Sequence, residues 1–283
     1  MKIGVITDCF KLPLKESIKL AGKLGFNGIQ IYATTGEFSP EVLSAEEKAE
    51  IKKLLCDNGL EISALCGDMG GYGFQNAEDN LVRIEKTKRI IDLAEEFGTR
   101  VITTHIGVIP NDKNHPRYNV MLSALTECGE YAASKNITLA IETGPEPADT
   151  LLAFLKDTKG GVGVNLDPAN FVMVTGQDPV EAVKKLGDYI VHTHAKDGIM
   201  LKQTDPEIIY DCFAKGGIES LNVADYFIET PLGEGKVDFE AYIAALREIG
   251  FDGYLTIERE TGENPANDIK LAQDRIKTLL EMN

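Results

Sequence analysis

The sequence predicts a single (β/α)8 barrel, a TIM barrel of the α/β class, over residues 1–283. Apolar, β-branched runs alternate with longer segments of helical period, as expected of repeated βα units around a parallel sheet. Eight such units can be counted, and 283 residues with 43% hydrophobic content are ordinary for one barrel. Neither a linker nor a low-complexity tract interrupts the pattern, so we expect one domain.

The predicted strands are short apolar runs, and the predicted helices lie between them. The strands begin near Ile3, Gly28, Glu61, Arg100, Thr138, Val162, Tyr189 and Gly253. The helices cover Leu14 to Leu24, Ala45 to Asn58, Asn80 to Phe97, Tyr118 to Lys135, Asp149 to Lys156, Pro179 to Leu186, Phe239 to Ile249 and Asp268 to Met282. Several helices are followed by Gly or Asn, as in KLGFNG, DNGLE and EFGTR, where a C-terminal cap is expected.

The connection between the seventh and eighth strands is much longer than the others. The stretch from about 198 to 235 is rich in Gly, Asp and Pro, and it predicts an extended loop that contains a short helix around Pro206 to Lys215. A loop of this length usually serves as a lid or a binding element.

Eight βα units are also compatible with an open, doubly wound sheet that binds a dinucleotide. Such a sheet carries a glycine fingerprint after its first strand. The text at that point is VITDCFKLP, which lacks the fingerprint. The barrel is therefore preferred, and its chemistry is expected at the C-terminal ends of its strands.

The charge of the chain argues against nucleic acid as a partner. The sequence has 45 acidic and 29 basic residues, a formal net charge of -16, and no block of Lys or Arg. Phosphate backbones are mostly repelled by such a surface, but a small anion can still bind locally, so the charge argues against nucleic acid more firmly than against a phosphorylated sugar. A small-molecule carbohydrate substrate is expected from the site residues and the resemblance described below, and a homo-oligomer stays open because exposed barrel helices often support one.

The location is expected to be the cytoplasm. The chain opens MKIGVITD and passes directly into a strand-like run, without a basic segment or a cleavage site. No apolar run approaches the ~18 residues of a membrane-spanning helix, so no membrane partner is expected. Five cysteines without a CxxC pair suggest neither a disulfide framework nor a zinc knuckle.

Potential metal ligands close four of the apolar runs. Glu142, Asp167, His194 and Glu258 end the runs TLAIE, GVNLD, YIVHTH and YLTIE. In a parallel barrel these ends share one face, so the side chains can converge on one cation. As structural alternatives, Glu142 could cap the next loop and Asp167 could cap a helix, because Asp before Pro often opens a turn.

Strand parity helps to choose between the two histidines of HTH. His192 and His194 point to the same face, and Thr193 points to the other. We expect His194 to be the ligand because it lies nearer the strand end, and His192 to be an interior group. Glu260 has the parity of Glu258 one step further out and is the alternative to it.

One nitrogen and three carboxylates suit a borderline-to-hard cation. We expect one divalent metal ion, Mn²⁺ in the first place, with Mg²⁺, Co²⁺ or Zn²⁺ as alternatives. Such an ion can hold adjacent oxygens of a hydroxy-carbonyl sugar and stabilise an enediolate. Glu142 and Glu258 would then form the acid–base pair that an epimerase or an aldose–ketose isomerase needs.

With these residues the chain resembles the xylose isomerase-like barrel superfamily, specifically bacterial sugar phosphate isomerase/epimerase proteins. The resemblance covers nearly the whole chain and is carried by the order of CGDMGGYGF, HIGVIP, IETGPEP, NLDPANF, HTHAKD, ETPLGEGKVDF and IERETGENP. It implies a metal held by Glu142, Asp167, His194 and Glu258, with the two glutamates as the acid–base pair.

Two departures from the ketose 3-epimerases of this superfamily bear on the substrate. Those enzymes usually carry a histidine three residues after the metal aspartate, where this chain has Asn170, and an arginine after the metal histidine, where this chain reads KDGIMLK. The glycine-rich CGDMGGYGF and ERETGENP resemble instead the subgroup linked to glycosides, keto-sugars and inositol derivatives.

Further residues are expected to contact the substrate from positions near the ligands. His105 ends the fourth strand, Lys196 shares the inward parity of His194, and Arg259 has the opposite parity to Glu258. Asn170 and Glu146 follow the ligand strands on loops over the same face. A core histidine or a solvated acid is the structural alternative for His105 and Glu146.

Three other functions are weighed against the isomerase or epimerase. A metal-dependent dehydratase of a keto-inositol or keto-sugar would use the same proton removal and then lose a hydroxyl group. A phosphodiesterase would need a multi-zinc cluster, which four histidines and a net charge of -16 disfavour. A non-catalytic sugar-binding protein would tolerate exchange of Glu142 or Glu258 for Gln.

Overall fold

The computed structural model describes residues 1–218 and 221–282. Eight parallel strands close into a barrel in the order β1-β10-β7-β6-β5-β4-β3-β2. The strands are β1 Lys2–Ile6, β2 Gly28–Tyr32, β3 Glu61–Cys66, β4 Val101–Thr104, β5 Thr138–Glu142, β6 Val162–Leu166, β7 Ile190–Ala195 and β10 Tyr254–Ile257. The predicted fold is confirmed, because each apolar run is a barrel strand.

Helices surround the barrel and follow the predicted segments closely. They are α1 Leu14–Leu24, α2 Ala45–Asp57, α3 Ala77–Phe97, α4 Pro116–Ser134, α5 Ala148–Asp157, the single turn α6 Pro168–Asn170, α7 Pro179–Leu186, α8 Pro206–Ala214, α9 Phe239–Glu248 and α10 Pro265–Glu281. A five-residue π-helical segment, Phe171–Thr175, follows α6. Among the described residues, no helix combines the length and the apolar character that crossing a bilayer requires.

Local chemistry explains where the helices begin and end. The Ser44 hydroxyl accepts from the backbone N–H of Glu47, whose carboxylate accepts from the backbone N–H of Ser44, a complete capping box before α2. Gly25 and Gly98 adopt left-handed backbone with φ of 77° after α1 and α3. Glycine accepts this conformation without the strain a side chain causes, so the predicted caps are confirmed.

The sheet register brings the polar strand ends to one rim. Glu142 pairs with Asn165 across β5 and β6, and Thr256 pairs with His194 across β10 and β7. The register shifts between Val164 and Asn165, at a bulge or irregularity. Leu139, Val164 and Leu255 lie on the opposite face of the same strands and are fully buried, so the strands that carry the rim pack against an apolar core.

The long connection after β7 is more ordered than an extended loop. It contains an antiparallel ribbon of β8 Asp197–Met200 and β9 Phe227–Thr230, together with the predicted short helix α8. The expectation of a loop is corrected here, because two four-residue strands pair through their backbones and carry little sequence pattern of their own. Residues 219–220 of the predicted loop lie outside the described residues.

The Asp197 carboxylate binds the end of this connection, where the chain returns to the barrel. It is buried and accepts hydrogen bonds from the backbone N–H groups of Gly198, Gly233, Gly235 and Val237 at 2.8–3.0 Å. A Cβ atom on Gly235 would lie 2.1 Å from Asp197 Oδ1, so only glycine fits this approach. The segment 233–237 is therefore fixed against the start of the ribbon.

Candidate metal centre

The strand ends bring the four predicted ligands together. Glu142, Asp167, His194 and Glu258 lie at the ends of four neighbouring barrel strands, and one potential ligand atom from each lies within 4.8 Å of the others. All four side chains are buried. Three carboxylates and one imidazole packed this closely need a cation or a dense set of donors to offset the cost of burial.

Unpartnered atoms show that hydrogen bonds within the chain do not meet this need. Asp167 Oδ2, His194 Nδ1 and Glu258 Oε2 are all buried without a hydrogen-bond partner. His194 Nδ1 lies 3.0 Å from Glu258 Oε2, 3.4 Å from Glu142 Oε1 and 3.6 Å from Asp167 Oδ2. Donor atoms that converge at such distances, with free lone pairs, fit a divalent cation with oxygen and nitrogen ligands.

Asp167 performs two tasks with its two carboxylate oxygens. Oδ1 accepts from the backbone N–H groups of Ala169 at 2.7 Å and Asn170 at 3.1 Å, and so caps α6. Oδ2 faces the ligand cluster. The helix-cap interpretation and the ligand interpretation of Asp167 are therefore compatible, because the cap fixes the carboxylate in the orientation that a ligand needs.

Gln30 of β2 orients both histidines from below the cluster. Its Oε1 lies 3.1 Å from His192 Nε2 and 3.2 Å from His194 Nε2, while its Nε2 donates to Thr103 Oγ1. An Nε2–H on His194 leaves the Nδ1 lone pair facing the carboxylates, the arrangement of a metal-binding imidazole. Gln30 was missed in the sequence, where its only signal is a polar residue inside the buried run GIQIY.

The pKa values of the two histidines are shifted in opposite directions. Burial lowers the pKa of His194, but Glu142 and Glu258 raise it well above its ordinary value in the metal-free protein. Burial and the neighbouring His194 lower the pKa of His192 well below its ordinary value. His192 is thus a neutral interior group that also contacts Thr256 Oγ1 at 2.9 Å, as expected.

On one side of the cluster, Glu142 contacts a histidine. His105 Nε2 lies 3.8 Å from Glu142 Oε1, and its Nδ1 lies 3.2 Å from Asp68 Oδ2. Asp68 is fixed by the backbone N–H of Gly70, which donates to Oδ1 at 2.8 Å. Burial lowers the pKa of His105, but Glu142 and Asp68 raise it to about 10.

On the other side, Glu258 contacts a buried lysine. Lys196 Nζ lies 3.3 Å from Glu258 Oε2, 2.6 Å from Glu260 Oε2 and 4.0 Å from Glu229 Oε2. Burial raises the pKa of Glu258, but Lys196 and His194 bring it below its ordinary value. Burial lowers the pKa of Lys196, but Glu258 and Glu260 raise it well above its ordinary value, so both groups are ionised.

Behind Lys196, a buried ion-pair network joins the ribbon to the rim. Glu229 of β9 accepts from Arg259 Nη1 at 2.8 Å and from the backbone N–H groups of Glu260 and Thr261. Arg259 Nε donates to Asp268 at 2.9 Å. The sequence did not reveal Glu229, because its partners lie about 30 residues further along the chain.

A second group of polar residues lies beyond Glu142, and it includes His105 and Tyr210 of α8. We call Asp68, His105, Glu146 and Tyr210 the distal wall. Glu146 is 4% exposed, and its Oε2 has no hydrogen-bond partner. Burial raises the pKa of Glu146 to about 8. Burial, together with the negative charges of Asp68 and Glu146, raises the pKa of Tyr210.

Three contacts hold helix α8 against neighbouring segments of the barrel. Arg117 Nη2 donates to Glu207 at 2.6 Å, and the Tyr72 hydroxyl donates to Asp211 at 2.7 Å. The Tyr210 hydroxyl lies 3.3 Å from the carbonyl oxygen of Gly71. The helix therefore contacts the loop after β3 and the start of α4, and the lid or binding role of this connection stays a prediction.

The residues expected to contact substrate lie in different settings. His105, Lys196 and Glu146 border the ligand cluster or the distal wall. The Asn170 amide donates to the Thr143 carbonyl oxygen at 2.9 Å, and the Arg259 guanidinium is bonded to Glu229 and Asp268. Substrate contact stays a prediction for all five residues.

Comparison with known proteins places this geometry in a family. The family model described as "Xylose isomerase-like TIM barrel" matches residues 18–279. The chain belongs to this family. The resemblance inferred from the sequence motifs is thereby confirmed.

Named relatives cover nearly the whole chain. L-ribulose-5-phosphate 3-epimerase UlaE of Escherichia coli strain SMS-3-5 is 25% identical over 278 residues, 93% of this chain and 88% of UlaE. The crystal structure of a xylose isomerase domain protein from Planctomyces limnophilus is 26% identical with a TM-score of 0.79, covering 98% and 96% of the two chains. The apo structure of 3-keto-D-glucoside 4-epimerase YcjR from E. coli has 18% identity and a TM-score of 0.72, covering 98% and 99%, and it shows the shared fold alone.

Proposed function

We propose that the protein is a divalent-metal-dependent isomerase or epimerase of a sugar or sugar derivative, such as a keto-sugar, a glycoside or an inositol-like compound. The observation that carries this proposal is the convergence of Glu142, Asp167, His194 and Glu258, with unpartnered buried atoms on three of them. The similarity to UlaE, a sugar epimerase by name, supports the reaction class.

These four residues would hold one divalent metal ion, with Mn²⁺ as the first candidate because the donors are three carboxylates and one imidazole. When bound, the ion supplies Lewis-acid chemistry, which polarises oxygens of a hydroxy-carbonyl sugar. Asp167 is held by its cap on α6 and His194 by Gln30, so these two ligands are preorganised.

Glu142 and Glu258 are the proposed acid–base pair. They close the outermost of four neighbouring strands, β5 and β10, so they approach the cluster from different sides. One carboxylate removes the proton from the carbon next to the carbonyl, and the other returns a proton through an enediolate of the sugar. The cations beside Glu258 keep it ionised and able to accept a proton.

Neighbouring side chains are proposed to position the sugar. Lys196 and His105 offer N–H donors to substrate oxygens next to the two glutamates. Glu146, with its free oxygen, is suited to a hydroxyl group further from the metal. Asn170 and Arg259 lie close to Asp167 and Glu258 in the chain, and each has bonds within the protein that a substrate contact would have to share.

The experiment that tests the proposal measures entry of deuterium from heavy water into keto-sugars with Mn²⁺-loaded protein. We expect deuterium at the carbon next to the carbonyl and a product of unchanged mass apart from that exchange. Loss of water from the product would instead indicate the dehydratase. Absence of exchange with every carbonyl sugar at saturating metal would contradict the proposal.

Two variants and a matched control make the test specific. Glu142→Gln and Glu258→Gln should each slow turnover by about 10²–10⁴-fold, the usual contribution of a general acid or base. Glu61→Gln is the control, because Glu61 begins β3 at the opposite rim and has a side chain that is 64% exposed. Equal turnover by all three variants would exclude the acid–base roles and favour the non-catalytic alternative.

A further inference from the structure

The loops that hold phosphate in many TIM barrels are filled by side chains of this protein. Phosphate sites in such barrels commonly use backbone N–H groups in the loops after the seventh and eighth barrel strands. Here the N–H groups of Gly233, Gly235 and Val237, in the connection after β7, donate to the buried Asp197 carboxylate. An anion could bind these groups only by displacing a carboxylate that the chain itself provides.

The loop after the eighth barrel strand, β10, is occupied in the same way. The backbone N–H groups of Glu260 and Thr261 donate to Glu229 Oε1 at 3.0 and 3.4 Å. Arg259 in this loop is bonded to Glu229 and Asp268. Two carboxylates of the chain, Asp197 and Glu229, thus stand at the positions where a phosphate would find its donors.

Other cations and helix ends near the site also have partners. Lys196 lies within 4.0 Å of three carboxylates, and Arg117 is paired with Glu207. Arg83 donates to the Gly70 carbonyl oxygen. The N-terminal amide of α5 at Ala148 donates to Gln177, and the first amides of α6 donate to Asp167.

The distal wall offers what an uncharged sugar needs. Glu146 is buried and has an unpartnered oxygen, and the wall also contains the Tyr210 phenol and the Asp68–His105 pair. A carboxyl group and a phenol exchange hydrogen bonds readily with hydroxyl groups. A phosphate dianion in the same place would meet the two carboxylates of Asp68 and Glu142, whose negative charges the single cation between them, His105, does not fully offset.

From these contacts we infer that the site takes an uncharged sugar or polyol derivative and discriminates against its phosphate ester, with Asp197 and Glu229 as the residues that fill the phosphate positions. The inference rests on the proposed function and narrows its substrate class. It separates this chain from a relative such as UlaE, whose name specifies a phosphorylated sugar.

The test uses matched pairs of probes: D-fructose with D-fructose 6-phosphate, and D-ribulose with D-ribulose 5-phosphate. The rates of deuterium exchange are measured with Mn²⁺-loaded protein in heavy water. In any pair that exchanges, we expect the kcat/KM of the free sugar to be at least about tenfold above that of its phosphate ester, because a dianion beside acidic side chains is disfavoured. Millimolar inorganic phosphate should leave this rate unchanged. Preference for the ester, or competition by inorganic phosphate, overturns the inference and leaves the proposed function standing.

If none of the probes exchanges deuterium, that result counts against the proposed function. The inference about phosphate esters is then tested by calorimetry. The same pairs and inorganic phosphate are then titrated into the Mn²⁺-loaded protein. Binding of a free sugar at least about tenfold tighter than its ester supports the inference. Tighter binding of the ester, binding of inorganic phosphate at the same site, or binding of neither free sugar overturns it.

Discussion

The two glutamates of the candidate metal centre end equivalent barrel strands, yet their surroundings differ. Glu142 lies 3.4 Å from His194 and 3.8 Å from His105, whose side chain is 33% exposed. Glu258 contacts two buried cations, His194 and Lys196, and Lys196 is surrounded by further carboxylates. The two glutamates thus share His194 and differ in their second cation, a partly exposed histidine beside Glu142 and a buried lysine beside Glu258.

The two glutamates also differ in the residues that lie behind them, away from the ligand cluster. On the Glu258 side, Arg259 forms ion pairs with Glu229 and Asp268. These pairs join the ribbon, the rim and α10. Behind Glu142, the partly exposed Asp68–His105 pair forms part of the distal wall. The Glu258 side is thus rigidly connected to the barrel, whereas the Glu142 side faces the proposed sugar-binding space.

The largest contrast is expected in turnover. Lys196→Met should reduce kcat by about 10³-fold, because it removes the cation between Glu258 and Glu260 and the proposed donor to the substrate. His105→Gln should reduce kcat by only about tenfold, because Gln retains a donor at a half-buried position. Steady-state kinetics on an exchanging sugar measure both, and equal losses would remove the proposed asymmetry.

The next contrast concerns stability. Glu229→Gln should lower the free energy of unfolding by about 3 kcal/mol, because it breaks a buried pair and leaves Arg259 with less compensation. Asp68→Asn should cost about 1 kcal/mol, because the Asp68–His105 pair is partly solvated. Urea denaturation of the metal-free variants compares them, and a larger loss for Asp68→Asn would reverse the assignment of the rigid side.

The smallest effect is a pH dependence on the Glu142 side, because the His105 side chain is one third exposed and solvent screens its charge interactions. The pKa of His105 is raised to about 10 in the folded metal-free protein, against about 6.5 for an unfolded histidine. The resulting stabilisation is fully present below pH about 6.5 and is lost as the pH rises towards about 10. Melting temperatures measured in EDTA should therefore fall more steeply with rising pH over this window for wild type than for His105→Gln. Parallel pH dependences of the two melting temperatures would contradict the raised pKa of His105.

Much of the barrel rim could be predicted from the sequence, for a physical reason. Each buried parallel strand is a short apolar run, so a carboxylate or imidazole at its end, such as Glu142 or His194, stands out against the pattern. The common rim then follows from the closed barrel. Asp167 was harder to interpret, because the same residue caps a helix and faces the cluster.

Contacts between distant segments could not be predicted. Asp197 is bonded to amides 36–40 residues away, and Glu229 to a loop about 30 residues away, with no local period to reveal either. Gln30 acts on histidines more than 160 residues away. The ribbon was missed because its four-residue strands are only partly buried and have no apolar run.

The most direct test of the metal centre is a titration of EDTA-treated protein with Mn²⁺, followed by calorimetry and by electron paramagnetic resonance. We expect one Mn²⁺ per chain, and an affinity reduced at least about 100-fold by Asp167→Asn, because the amide removes the charge at Oδ2 while its oxygen can still cap α6. The Glu61→Gln control should bind as wild type does. Absence of Mn²⁺ binding, or binding that Asp167→Asn leaves unchanged, would contradict the assignment of these four residues as one metal centre.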